Sequence, residues 1–129
     1  MVARELPEIA VGFSANTPED FSESFSMLFR HLVGPSRKIT AARLALIVEG
    51  SHDAGVRSAL SAGRKSIESS VLPALVALGA NDPLLGVQLI ATCFEGLFLH
   101  VLGRHADIDA EAVISATVRT IFTPVKTPQ

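Results

Sequence analysis

Read as hydrophobic and polar positions, the chain divides into helical periods separated by stop signals. Residues 1–16 carry Pro7, Gly12 and Asn16 and show no period, which predicts an irregular leader or linker remnant. Thr17-Pro18-Glu19-Asp20 is a helix start: a capping hydroxyl, a proline at the first helical position and two acids at the positive end of the dipole. Phe21, Phe25, Leu28, Phe29 and Leu32 follow at helical spacing, and Gly34-Pro35 stops the run. Ser36 is placed to cap a second helix reaching Glu49. Its expected inner stripe is Ile39, Ala42, Leu46 and Ile47, widened by Leu44 and Val48, with Gly50 as C-cap. Asp53 then caps a long helix to about Leu78 with Val56, Leu60, Ile67, Val71, Leu75 and Leu78 in step. Pro73 cannot donate to the Ser69 carbonyl, so a kink or a split is expected there. Gly79 ends this segment.

Asn81 or Asp82, followed by Pro83, starts a fourth helix. One face carries Leu84, Val87, Ile90, Phe94, Leu97 and Val101, while Leu85, Leu89, Cys93 and Leu102 lie on others, and Gly103 is the expected cap. Asp107 or Asp109 starts a fifth helix with Val113, Ala116, Val118, Ile121 and Phe122, which Thr123-Pro124 ends. Short connections favour antiparallel neighbours. The fold class expected is all-α, an antiparallel bundle of five to six helices. The expected domain is 17–123, between a leader over 1–16 and a tail over 124–129.

The fourth helix is apolar almost all round, and a surface helix normally buries only one stripe. The remainder would form an exposed apolar patch unless another surface covered it. Gly96 removes a side chain mid-helix, at a cost near 1 kcal/mol relative to Ala, and would let another helix approach closely. Ala112, Ala116 and Thr117 do the same on the fifth helix. Together the two helices make half of an intermolecular four-helix bundle, with a second copy of the chain as partner. A membrane span of about 20 residues is the competing use of so apolar a helix. Gln88, Thr92, Glu95 and His100 argue against it.

Composition narrows the choice of function. Apolar residues make up 48% and charged residues 19% of the 129 residues, enough for one core with apolar surface to spare. The net charge is −2, and the basic residues are scattered among the acids, so no basic face is available to neutralise phosphates. A single cysteine, Cys93, provides no disulfide framework and fits a cytoplasmic protein. The four histidines show no HxH or HExxH spacing, so neither a metal nor another cofactor is expected. There is no Gly-x-Ser-x-Gly elbow, P-loop or dinucleotide fingerprint, and no catalytic residues are assigned.

A few residues are unusual for their positions. Arg43 sits beside Ile39, Leu46 and Ile47, where it could anchor an anionic effector or bridge to another helix. Glu95 and His100, five residues apart, lie in the most apolar helix, where an interface or a solvated rim suits them. The stripe Phe21, Phe25 and Phe29 reads first as core, and second as the wall of an apolar pocket.

One ordered set of segments carries a family resemblance. Ala41 to Glu49 is followed by Asp53-Ala-Gly-Val-Arg-Ser-Ala-Leu60, Arg64, Leu72-Pro-Ala-Leu75 and Leu78-Gly79. Then come Phe94-Glu-Gly-Leu-Phe-Leu-His-Val-Leu-Gly103 and Asp107-Ile-Asp-Ala-Glu-Ala112. This order resembles the C-terminal regulatory domain of TetR-family transcription regulators over about two-thirds of the chain. The resemblance implies a homodimer through the last two long helices, for which Leu89, Cys93, Gly96, Leu97, His100, Val113, Ala116 and Thr117 are the candidates. It also implies a pocket for a small, mostly apolar effector, with Phe25, Phe29, Arg43, Ile47, Ile67 and Phe94 as its candidate lining. DNA would be bound only by a helix-turn-helix head, whose basic, Gly- and Tyr-containing pattern is not matched in residues 1–35. Two other readings remain: a stand-alone dimerisation or interaction module with no cavity, and a small helical enzyme, which would need a converging polar cluster.

Overall fold

The computed structural model describes residues 15–124. The expected leader and tail lie almost wholly outside that range. Among the described residues there are five α-helices: α1 (Pro18–Val33), α2 (Arg37–Glu49), α3 (Ala54–Ala77), α4 (Pro83–Phe98) and α5 (Ala110–Phe122). A π-helical turn, Leu99–Gly103, prolongs α4. The all-α bundle expected from the periodicity is therefore present, and no strand occurs among the described residues.

Local chemistry sets most of the ends. The Asp20 amide donates to Thr17 Oγ1 at 3.1 Å. Asp53 Oδ1 accepts from the amides of Gly55 at 2.9 Å and Val56 at 3.2 Å. Asp82 caps α4 through the Leu85 amide, and Asp109 caps α5 through the Ala112 amide. Each bond satisfies a backbone donor that the first helical turn leaves without an internal partner. Gly79 closes α3 with φ 85°, and the Ala80 amide donates back to the Leu75 carbonyl at 3.0 Å. That left-handed closure favours glycine.

α4 is the axis of the bundle: α5, α3 and α2 all pack on it, and α1 lies against α5 and α2. Phe21, Phe25, Phe29, Val71, Leu75, Val87, Ile90, Leu97, Ile114, Val118 and Ile121 form one buried cluster. Burying each large apolar side chain stabilises the fold by roughly 1.5–3 kcal/mol. α3, α4 and α5 crowd together at Gly86, where a Cβ would lie 3.0 Å from Leu75 Cδ1 and 3.1 Å from Ile121 Cγ2. The turn before α4 is tied to the end of α5, because Asn81 donates from its amide to the Ile121 carbonyl and from its side chain to the Thr123 carbonyl.

Four expectations are corrected, and the alternative left open at Pro73 is narrowed. Ser36 occupies the N-cap position of α2 but makes no capping bond; its Oγ lies 3.0 Å from His31 Nε2. The inner face of α2 is not the Ala42, Leu46, Ile47 stripe, since these residues are exposed together with Val48. Thr40 is the buried residue, its hydroxyl 2.7 Å from the Leu32 carbonyl. Pro73 does not split α3, which runs unbroken from Ala54 to Ala77. Leu84 is 67% exposed and stands at the rim of the bundle, outside the core face of α4. Gly103 lies within the π turn, and the left-handed residue beyond the helix is His105, with φ 51°.

Candidate functional site

The outward side of α4 and α5 carries exposed apolar residues, Leu85, Leu99 and Val113 among them. Helical geometry puts Val87, Ile90, Phe94, Leu97 and Val101 toward the core. About a quarter turn away lie Leu85, Leu89, Cys93, Gly96 and His100. Leu85 is 49% and Leu99 52% exposed, and Leu89, Cys93, Gly96 and His100 are partly exposed. Across the groove, Ile114, Val118 and Ile121 of α5 are buried, whereas Val113, Ala116 and Thr117 reach the surface. A Cβ at Gly96 would meet nothing within 4 Å, so nothing in its own chain demands glycine there. The contrast with Gly86, ten residues earlier on the same helix, is direct.

Pro83–Gly103 is also long and apolar enough to cross a membrane, by length and composition. Its most apolar 18-residue window has a mean hydropathy of 1.7, and only 22% of that window is buried within the chain. Beyond the fully buried residues, Leu89, Cys93, Phe94, Phe98 and Val101 pack partly against the core, and Leu84, Leu85 and Leu99 stand exposed.

Seven of the eight residues expected at a dimer interface occupy this outward face or its edge. Leu97 does not: it is 2% exposed and belongs to the core of its own chain, because it lies one helical turn beyond Phe94 on the inward face. Leu85 and Leu99 belong to the face and were missed. Their signal was available in the spacing Leu85, Leu89, Thr92, Gly96, Leu99, one stripe at helical steps.

The expected effector residues do not gather in one cavity. Phe25, Phe29 and Phe94 meet in the interior, with ring centroids 5.3 Å apart for Phe25–Phe94 and 5.9 Å for Phe29–Phe94. Phe98 stacks on Phe29 at 5.6 Å with an interplanar angle of 6°. These rings fill the space between α1 and α4. The opening beside Phe25 and Phe94, bordered by Cys93 and Thr117, measures about 10 Å³, room for about one water. Arg43 is half-buried on α2, whereas Ile47 and Ile67 are 43% and 41% exposed. A larger groove of about 300 Å³ lies elsewhere, between α3 and α4, lined by Lys65, Glu68, Ser69, Leu72, Leu84, Val87 and Gln88. Sequence reasoning missed it because its residues form no motif; only the packing of two helices brings them together.

Among the described residues no three His, Cys, Asp or Glu could hold a metal ion. The cross-helix ion pair Arg30–Glu111 joins α1 to α5 with both side chains more than half exposed, so it contributes little.

The chain finds no match among curated proteins and none among solved structures. A family model described as "Tetracyclin repressor-like, C-terminal domain" matches residues 16–124, a span that takes in all five helices. The chain belongs to the tetracyclin repressor-like C-terminal domain family.

Proposed function

We propose that residues 17–123 are the regulatory domain of a TetR-like transcriptional regulator, binding a small, mostly apolar effector and forming a homodimer through α4 and α5. Family membership supports the regulatory reading. The outward apolar face of α4, with open space at Gly96, is the observation that supports the dimer. Two such faces would bury each other as a four-helix seam around a twofold axis. Leu89, Cys93, Gly96, His100, Val113, Ala116 and Thr117 are its proposed residues. The setting is the cytoplasm and the role is not catalytic.

The effector acts on this reading by population shift. It binds one arrangement of the dimer better than the other, and so changes the DNA affinity of attached helix-turn-helix heads. Its proposed entry is on the α2–α3 side, where the packing is thinnest. There Arg43 would receive a polar or anionic end, and Ile47 and Ile67 would flank the apolar body. Phe29 and Phe94, with Phe25 behind them, would form the inner wall after a rotamer change. Thermal-shift screening of a hydrophobic library tests this reading. A ligand at 100 times its Kd adds about 2.7 kcal/mol of stability, and Arg43→Ala should remove that gain. A library without a stabilising member would favour the alternative, an interaction module with a filled interior. The small opening beside Phe25 is the observation on that side.

A further inference from the structure

The groove between α3 and α4 shares no residue with the proposed effector entry or with the dimer face. Its floor is apolar: Val87 is buried against the core and Leu72 packs on it, while Leu84 stands 67% exposed at the edge. One wall is polar. Lys65, Glu68 and Ser69 stand at i, i+3 and i+4 on α3, so all three share one helix face. Gln88 faces them from α4. Two of these polar groups are already engaged. The Glu68 carboxylate pairs with Arg64 at 3.5 Å, and the Ser69 hydroxyl donates to the Lys65 carbonyl at 2.9 Å. Arg64, Lys65 and Glu68 together leave one net positive charge beside the groove. The N-terminus of α4 beside Leu84 is already matched by the Asp82 carboxylate, which accepts from the Leu85 amide, so Lys65 is the cation that faces the groove. The volume of about 300 Å³ lies at the lower end of the range that holds small ligands, roughly 300–1,000 Å³.

We infer that this groove is a second ligand site, selective for a small amphipathic anion. The apolar body lies along Leu72, Leu84 and Val87. The anionic end meets the Lys65 ammonium and the Gln88 amide. A cationic amphiphile would meet the net positive wall, and a fully polar anion would leave Leu84 and Val87 unused. A ligand here bridges α3 to α4, so it also stabilises the long helix that has the fewest other attachments.

The test is calorimetric titration of the full chain with octanoate, octylamine and acetate, each at concentrations where it is monomeric. Octanoate is expected to bind, and octylamine and acetate at least about ten-fold more weakly. Lys65→Ala should weaken octanoate about ten-fold, the scale of one charge-assisted hydrogen bond, while Lys65→Arg retains it. Leu84→Glu should abolish it; Leu84 is exposed, so this variant should keep the wild-type circular dichroism. Arg43→Ala should leave octanoate binding unchanged, which separates this site from the proposed effector entry. Absence of octanoate binding, equal binding of octylamine, or full retention by Lys65→Ala and Leu84→Glu would overturn the inference.

Discussion

The two sides of this bundle are built differently. On one side α1, α4 and α5 enclose Phe21, Phe25, Phe29, Ile90, Leu97, Ile114, Val118 and Ile121, all nearly sealed from solvent. On the other, α2 buries Thr40 as its only fully inward side chain, and the first two turns and more of α3 bury none. Leu46, Ile47, Val48 and Ile67 remain exposed there. The contrast shows that apolar content alone does not make a core. The α1 rings interlock in edge-to-face and stacked pairs, whereas the apolar residues of α2 are spread around its circumference. One side therefore holds the fold together, and the other is more loosely packed.

Substitutions can break or sharpen this comparison. The largest effect is expected at Phe21, which is 0% exposed and contacts both Phe25 and Phe122. Phe21→Ala should cost about 3–5 kcal/mol in chemical denaturation; a loss below about 1 kcal/mol, the range of surface changes, would mean that the aromatic side is not the stabilising one. Next is Gly86→Val. Its added atoms must displace Leu75 and Ile121, which already stand within 3.1 Å of a Cβ, at an expected cost of about 1–3 kcal/mol. Gly63→Ala lies in the open part of α3, where a Cβ meets nothing within 4 Å. It should stabilise by about 0.4–1 kcal/mol, through helix propensity and a less flexible unfolded chain. Ile67→Ala should change stability least, within about 0.5 kcal/mol, because the residue is 41% exposed. Hydrogen exchange should show the same order, with amides of the N-terminal half of α3 exchanging before those of α4.

The parts legible in the sequence are those governed by local chemistry. Thr17 and Asp53 cap as expected, and of the pairs Asn81 or Asp82 and Asp107 or Asp109 it is Asp82 and Asp109 that cap, since a short polar side chain before an apolar period has few other uses. Gly79 was readable because a left-handed helix closure favours glycine. The phase of α2 was not. Its apolar residues lie on every side, so periodicity selects no face, and the inward position is decided by the carbonyls available to the Thr40 hydroxyl. The π turn after α4 was also hidden: the Arg104 amide reaches the Leu99 carbonyl, a spacing with no composition signature. For the candidate sites, the outward α4 stripe could be read from an excess of apolar residues. Periodicity puts Leu97 on the face of Val87, Ile90 and Phe94, where it is buried; only its place among the dimer candidates, implied by the resemblance, does not fit. The α3–α4 groove depends on the packing of two helices and leaves no mark in either one alone.

Gly86 and Gly96 bring the central claim to one helix. The first is glycine because its own chain crowds it; the second has open space around it. If a second copy fills that space, Gly96→Leu should leave the monomer folded and remove the dimer. Sedimentation velocity at micromolar concentration is the direct measurement. The expected result is a dimer for the native chain and a monomer with unchanged helicity for Gly96→Leu. A native chain that sediments as a clean monomer, or a Gly96→Leu variant that remains fully dimeric, would contradict the account.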